Sequence, residues 1–508
     1  MSVARRYHEA TAHSPYSVRT SGHSLDWDIK PFPFKVYTDV PAVPLPRDFE
    51  PAGLDALEAL DPTAVEPPPA RLDLSRLTAL LYLSAGITRK KEYPGGGEVL
   101  FRAAASTGAL YQTEVYVVAG AIDGLAAGVY HFCPGDFTLR RLREGDRRAA
   151  VAEAAAEASL AGRAATLVLS GLYWRNTWKY QARGFRHLFW DSGTMLANAM
   201  AAGRALGLAP RLVTGFADAA VNRLLGLDVL HEAALELVAV GPEGTPAADP
   251  GPLPALAHET MPLSSSAVDY PLLREMLEAS SLDGPGAVEA WRATAPPALR
   301  EPGGALLALP PPRESAGRRL DDTIRHRGST RRFGPQPLTA VELATALAAA
   351  TRPVHADVAW GLVDLYLIVN AVEGIAAGAY AYWPREHALE ALAQGLLRRE
   401  ASYLCLEQPL GGDAAATIFF LTPLAAVLDA YGERGYRLVN LEAGLAGGRA
   451  YLTAYAQRFG ATGLTFYDAE VVRFFLPHAA AREAIFVTAL GRAAREGDPR
   501  LLSIAPSR

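Results

Sequence analysis

Three short stretches hold residue types that could do chemistry together. Arg327, Ser329 and Arg331, in RGSTRRF (327–333), put two guanidinium groups and a hydroxyl close together on the chain. A phosphate carries about two negative charges and is held by such cations or by N–H donors. Ser106, Thr107, Gly108 and Ala109, in ASTGALY (105–111), form a run of small residues that lets backbone approach a flat ring. Lys179 and Tyr180, in WKYQARGFR (178–186), set an amine beside a phenol. A lysine acts as a base only where burial or a nearby cation lowers its pKa from about 10.4. Arg175, Arg183 and Arg186 are its neighbouring cations in sequence. Each stretch alone has a plainer reading: a solvated basic turn, a loop entering a strand, and a surface lysine with a packing tyrosine.

The elements that would position these residues occur twice. IDGLAAGVYHFCP (122–134) matches VEGIAAGAYAYWP (372–384), YQARGFRHLFWDSG (180–193) matches YGERGYRLVNLEAG (431–444), and TGFADAAVNRLLG (214–226) resembles LTFYDAEVVRFFL (464–476). Order and an offset near 250 hold through all three, the mark of an internal repeat. Each block reads as opening helices, a β run (114–119 or 364–370), a hairpin-like piece, another β run, a long helix (about 183–206 or 434–458) and a closing β run. Strands and helices mix without regular βαβ alternation, so the fold class is α+β, a sheet packed on a central helix. The boundaries are an extended arm over 1–50, anchored by Trp27, Phe32, Phe34 and Tyr37; repeat 1 over 51–241; a Pro/Gly-rich linker with a short helical piece over 242–313; and repeat 2 over 314–508. Arg183-Gly184 and Arg434-Gly435 recur in both repeats and so read as structural, pairing with Asp191 and Glu442.

Composition narrows the function classes. The 508 residues are 50% hydrophobic and 20% charged, with a formal net charge of −5. That balance is globular and argues against nucleic acid as a partner. Cys133 and Cys405 lie in no CxxC or Cys/His cluster and read as buried thiols, and no metal site is indicated. His131, His187 and His231 have no metal-ligand spacing. The N-terminus lacks a signal-peptide h-region and no apolar run is long enough to span a bilayer, so the expected location is cytoplasmic, with no membrane partner. There is no GxGxxG and no P-loop.

These motifs together resemble the nitroreductase superfamily, and within it the SagB-type dehydrogenases, the azoline oxidases of thiazole- and oxazole-modified peptides. RGSTRRF is similar to that family's FMN-phosphate motif. SAGITR (84–89) and ASTGALYQTEVYVV (105–118) resemble its Ser/Gly loop and strand, and WKYQARGFRHLFWDSG (178–193) its Lys-Tyr segment and following helix. The resemblance implies an FMN oxidoreductase working by ping-pong hydride transfer, with flavin at the interface of two subunits, here fused as an intramolecular pseudo-dimer. It implies Lys179 and Tyr180 as the catalytic pair. Gly463 and Leu464 fall where the family has a loop near the flavin ring. Gln112 stands where SagB-type proteins usually have proline, and no leader-peptide docking domain is recognisable. The substrate is therefore either an azoline-type peptide heterocycle or a small nitro or quinone compound. A non-catalytic scaffold that binds a peptide or protein is a third reading.

The repeats have diverged in opposite halves. With an offset of 266, Asp61, Thr63, Val65 and Glu66 face Arg327, Ser329, Arg331 and Arg332, so the first repeat lacks the cations. With an offset of 250, His355-Ala356-Asp357-Val358-Ala359 faces the Ser106 loop, so the second repeat lacks the small residues. The second repeat is also some 16 residues shorter just before this loop. Its C-terminal segment keeps Arg492 and Arg495, where the first repeat has GPEG. One composite site remains whole: Arg327, Ser329, Arg331 and Arg492 for phosphate, and Ser106 to Ala109 for the ring. The expectation is one FMN per chain.

Overall fold

Two 22-residue helices, Gly184–Ala205 and Gly435–Ala456, cross at the centre of the molecule. Glycines set the approach. A Cβ on Gly193 would lie 2.6 Å from the Leu441 carbonyl oxygen, and one on Gly448 would lie 2.7 Å from the Ala197 methyl. Any side chain there would push the two backbones apart. The computed structural model describes residues 2–49, 51–93, 97–248, 251–494 and 501–504.

Each helix packs on a seven-stranded antiparallel sheet, and the two sheets share one strand order. The first runs Ala42–Pro44, Thr138–Glu144, Gly128–Cys133, Thr113–Ala119, Arg163–Leu172, Glu232–Glu243, Arg211–Val213. The second runs Leu306–Ala308, Ala388–Gln394, Gly378–Trp383, Asp364–Val369, Ala416–Thr422, Glu483–Gly491, Gly460–Gly463. Even the bulges agree, one between Val129 and Tyr130 and its counterpart between Ala379 and Tyr380. The fold is thus α+β with two like halves.

Register across the opening helices also holds. Leu74–Ala85 is capped by Asp73 and Ala340–Thr351 by Thr339, 266 residues on. The missing stretch of the second repeat is a hairpin in the first. Ile87–Glu92 pairs with Glu98–Arg102, and the C-terminal strand Leu501–Ser503 adds to its edge.

The arm over 1–50 is less extended than its composition suggests. Val3–Ala10 and Pro15–Thr20 are helical, with Ala4 and Tyr7 fully buried. Ser2 and Ser14 cap these helices with their side chains, which explains where they start. Phe34 and Tyr37 are buried anchors, whereas Trp27 and Phe32 stay exposed; Trp27 meets Trp178 edge-on at 5.3 Å and the Lys30 ammonium over its ring at 5.4 Å. Among the described residues, no helix is long and apolar enough to cross a membrane. Both cysteines are free and buried.

Candidate functional site

The hairpin and the start of the second repeat bring two arginines together. Arg327 follows the helix Leu320–His326 and is buried. Its Nε donates to the Ala103 carbonyl at 2.9 Å and its Nη2 to the Arg102 carbonyl at 3.2 Å. Arg89, from the hairpin, packs on Gly328, whose absent Cβ leaves room for the guanidinium; a Cβ there would lie 2.8 Å from it. Burial and the Arg327 charge push the Arg89 guanidinium down to about 10. Arg89 Nε is buried with no hydrogen-bond partner among the described residues. Neither arginine has a carboxylate partner among them. Two such cations side by side are costly unless an anion joins them. Arg89 is a residue that motif reading alone did not single out, although SAGITR ends on it.

Ser329 Oγ lies 3.3 Å from the Tyr451 hydroxyl, and Arg327 sits over the same ring. Tyr451 in turn accepts from the Gly463 amide. The Leu464 amide donates to the Val487 carbonyl at 3.2 Å. Both amides therefore have partners within the protein. Arg331 is exposed, and its charge acts on Lys179 and Tyr180. Arg492 does not join the Arg89–Arg327 pair by any contact. Its Nη2 meets both Glu342 oxygens at 2.8 Å, because Glu342 sits at the third position of the capped helix directly opposite. Arg495 lies outside the described residues.

The loop from Ser106 faces this cluster, and three positive φ values shape it: Gly108 at 65°, Ala109 at 55° and Tyr111 at 53°. Such strain persists only where surroundings impose it. Asp191 is the main restraint. It accepts from Ser106 Oγ, from Thr107 N at 2.9 Å and from Thr107 Oγ1 at 2.6 Å. The two hydroxyls expected to meet a ring thus bind Asp191, which leaves backbone, Gly108 and Ala109 to the cleft. Behind the loop, Arg175 donates to the Tyr111 carbonyl at 3.0 Å and pairs with Glu114, which also meets His131 at 2.7 Å.

Lys179 and Tyr180 end the helix Tyr173–Tyr180. A Cβ on Gly108 would lie 3.0 Å from the Tyr180 hydroxyl, so the pair stands against the loop. Tyr180 is fixed edge-on to His187 at 4.4 Å, and burial holds its phenol well above the usual range. Lys179 is half-buried; burial first, and Arg331 second, lower its pKa. The cation near Lys179 is therefore from the other repeat. Arg175 is taken by Glu114, and Arg183 and Arg186 by Asp468.

Those last two pairs correct the expected Arg183–Asp191 and Arg434–Glu442 partnerships. Arg183 and Arg186 reach Asp468, and Arg434 and Arg437 reach Asp218, each across the repeat boundary. The helix crossing explains it: the N-terminal end of each long helix reaches the other half. Glu442 instead accepts from the amides of Gly361, Leu362 and Val363.

The pseudo-symmetric counterpart is built differently. Asp61 pairs with Arg352 at 2.6 Å, and Glu66 pairs with Arg204. Asp357, in place of Thr107, accepts from the Thr214 and Gly215 amides, both at 2.8 Å. Thr214 and Gly215 correspond to Leu464 and Thr465 of the other half. This cleft supplies its own anions.

A family model described as the nitroreductase family matches residues 67–242 and 324–492. The chain is similar to the crystal structure of a candidate nitroreductase from Anabaena variabilis, with 27% identity, a TM-score of 0.77, and 97% of this chain and 99% of that chain covered. A candidate nitroreductase of Methanocaldococcus jannaschii is 27% identical over 162 residues, 30% of this chain and 82% of that protein. The NADPH:FMN oxidoreductase of Vibrio harveyi, complexed with NAD+, shares 15% identity at a TM-score of 0.26, over 35% of this chain and 68% of that one.

Proposed function

The chain belongs to the nitroreductase family, and from that premise we propose that it is an FMN-dependent oxidoreductase with one flavin per chain. The observation that carries this is the pairing of Arg89 with Arg327, two arginines from opposite repeats with no carboxylate partner among the described residues. A phosphate there would satisfy the unpartnered Arg89 Nε and relieve the mutual repulsion. Ser329 and Tyr451 would supply hydroxyls beside it, and the backbone of Gly108 and Ala109 would border the ring. Bound flavin supplies hydride acceptance and return. The second cleft is unsuited to the same guest, because Asp61, Glu66 and Asp357 occupy its cations and amides.

Within this reading the substrate is an azoline-type heterocycle in a peptide. Dehydrogenation of such a ring removes a proton as well as a hydride. Lys179 would take that proton, which its pKa, lowered by burial and by Arg331, supports, and Tyr180 packs edge-on against His187 beside it. Nitro or quinone reduction needs no such base, and no observation on this side of the loop favours it over the first.

Titration of purified protein with FMN, followed by absorbance and by flavin-fluorescence quenching, tests the stoichiometry. One flavin per chain supports the proposal. A ratio near two, or no binding, sinks it. Loss of azoline dehydrogenation with quinone reduction retained in Lys179→Met supports the peptide substrate; equal loss or retention of both rejects it.

A further inference from the structure

The diverged half of the molecule contains a cavity of ≈ 320 Å³ between the loop 353–363 and the second sheet. A neighbouring cavity of ≈ 390 Å³ shares Pro353 and Arg449 with it. In the first repeat an arginine lies in the corresponding place. There Arg102 is buried under the loop, donating to the Pro33 carbonyl at 2.7 Å, with Phe34 and Tyr111 against its guanidinium. Arg352, the counterpart of Arg102, is drawn to Asp61 instead, and the space stays open. The cavity opens to solvent past Pro384 and Glu386, and its size suits a small ligand.

The walls of this cavity are aromatic and its spare groups are donors. Trp360, Tyr366, Tyr382 and Trp383 line it. Trp360 Nε1 and Arg300 Nε are buried without hydrogen-bond partners among the described residues. Arg449 is 6% exposed and gives its Nη1 to the Arg352 carbonyl and its Nη2 to the Pro353 carbonyl, with no carboxylate partner among the described residues. Two of the lining acids are engaged, Asp364 with Arg482 at 2.6 Å and Glu442 with three amides, and the third, Glu386, is exposed at the rim. The buried lining atoms left without a partner among the described residues, Trp360 Nε1 and Arg300 Nε, are both donors, so an incoming acceptor would complete them.

We propose that the cavity beneath Trp360 is a second ligand site, separate from the flavin cleft, for a planar aromatic carboxylate. The ring stacks among the tryptophans and tyrosines, and the carboxylate meets Arg449 and the free indole N–H. This assignment stands whether or not the other cleft holds flavin.

Tryptophan-fluorescence titration with 2-naphthoate, and with 2-naphthamide as its uncharged isostere, tests it in protein with and without added FMN. A charge-assisted contact predicts that the acid binds about tenfold more tightly than the amide or better. Arg449→Met should erase that preference. Ala381→Phe, which sends a ring from the sheet into the cavity, should abolish binding of both while the thermal midpoint is held or raised. The proposal fails if neither probe saturates below about 1 mM, a ΔG near −4 kcal/mol. It also fails if both variants bind like wild type, or if binding depends on FMN and moves its absorption bands.

Discussion

Arg437 of the second repeat donates to Asp218 of the first at 2.7 Å, and Arg186 of the first donates to Asp468 of the second in the same geometry. Each acid also takes a second arginine, Arg434 or Arg183, and a backbone amide from an N-terminal segment, Leu282 or His13. The arginines bond outward to matching carbonyls, Leu277 and Ser280 on one side, His8 and Thr11 on the other. The arm over 1–50 and the linker over 242–313 therefore perform one task. Each threads under the other half's acid and locks the crossing of the long helices.

Asp468→Asn should be strongly destabilising, because it leaves two buried guanidinium groups short of a counter-charge. Breaking such a pair costs about 3–5 kcal/mol, read as a shift of the urea midpoint at pH 7. Asp218→Asn should cost a similar amount, since its surroundings repeat. Arg183 and Arg186 hold the Asp468 carboxyl well below the usual range. Its stabilisation is therefore complete above the unfolded value of about 3.9 and is lost as pH falls toward the depressed folded value. The wild type should lose stability steeply below pH about 4, and the asparagine variant less so. Equal acid slopes would remove Asp468 from this role.

Arg89→Ala and Arg327→Ala should each weaken FMN binding by about ten- to a hundredfold at low salt, the worth of a charge-assisted hydrogen bond. Riboflavin, which lacks the phosphate, should bind wild type and variants alike. The readout is the ratio of the two affinities by fluorescence quenching. A variant that weakens both flavins equally has lost loop packing and not a phosphate contact.

Much of this was legible in the chain, for identifiable reasons. The long helices begin and end within two residues of expectation, because a repeat offset near 250 sets two copies of each boundary against each other. The loss of cations at Asp61 and Glu66 was visible because the register holds from Asp73 to Thr339. Partner choice was not legible. Arg183 caps the long helix about two turns before Asp191, but Gly193 lets the helices cross so closely that Arg183 reaches Asp468 of the other half instead. Arg89 was passed over because its partner Arg327 is far away in sequence. Its one signal was the stretch before the Ser106 loop that the second repeat lacks, which folds as the hairpin that carries it.

Lys179 should show its environment in the pH–rate profile of azoline dehydrogenation. A base works from its neutral form, so activity rises through its pKa. Arg331 lowers that pKa across the cleft, second to burial. Arg331→Gln should therefore move the acid limb to higher pH with the plateau rate kept. Lys179→Met should lower the plateau by about a hundredfold or more, the usual contribution of a general base. An acid limb that stays in place in Arg331→Gln would show that some other group titrates.

Asp191 and Glu442 shape the two loops, and burial pushes their carboxyls up, to about 6 and about 7 respectively. The sign is opposite to that of Asp468. A raised folded pKa means that the folded state holds the proton more tightly than the unfolded chain. Stability then falls as pH rises from the unfolded value to the folded one, and is level above it. These two carboxyls thus subtract stability between pH about 4 and 7, the range in which the loop anchors become charged, against the rise that the buried, lowered histidines His8, His13, His131 and His187 supply. Relative to wild type, Asp191→Asn should remove a falling contribution from the lower part of that range and Glu442→Gln one from the upper part, while buried Glu236, raised to about 8, keeps a fall of its own in both variants. The asparagine keeps one acceptor for Thr107, so the Ser106 loop should persist and FMN affinity should fall less than in Asp191→Ala. Midpoints measured across this range decide it: single variants with the wild-type slope would mean that other groups carry the pH dependence.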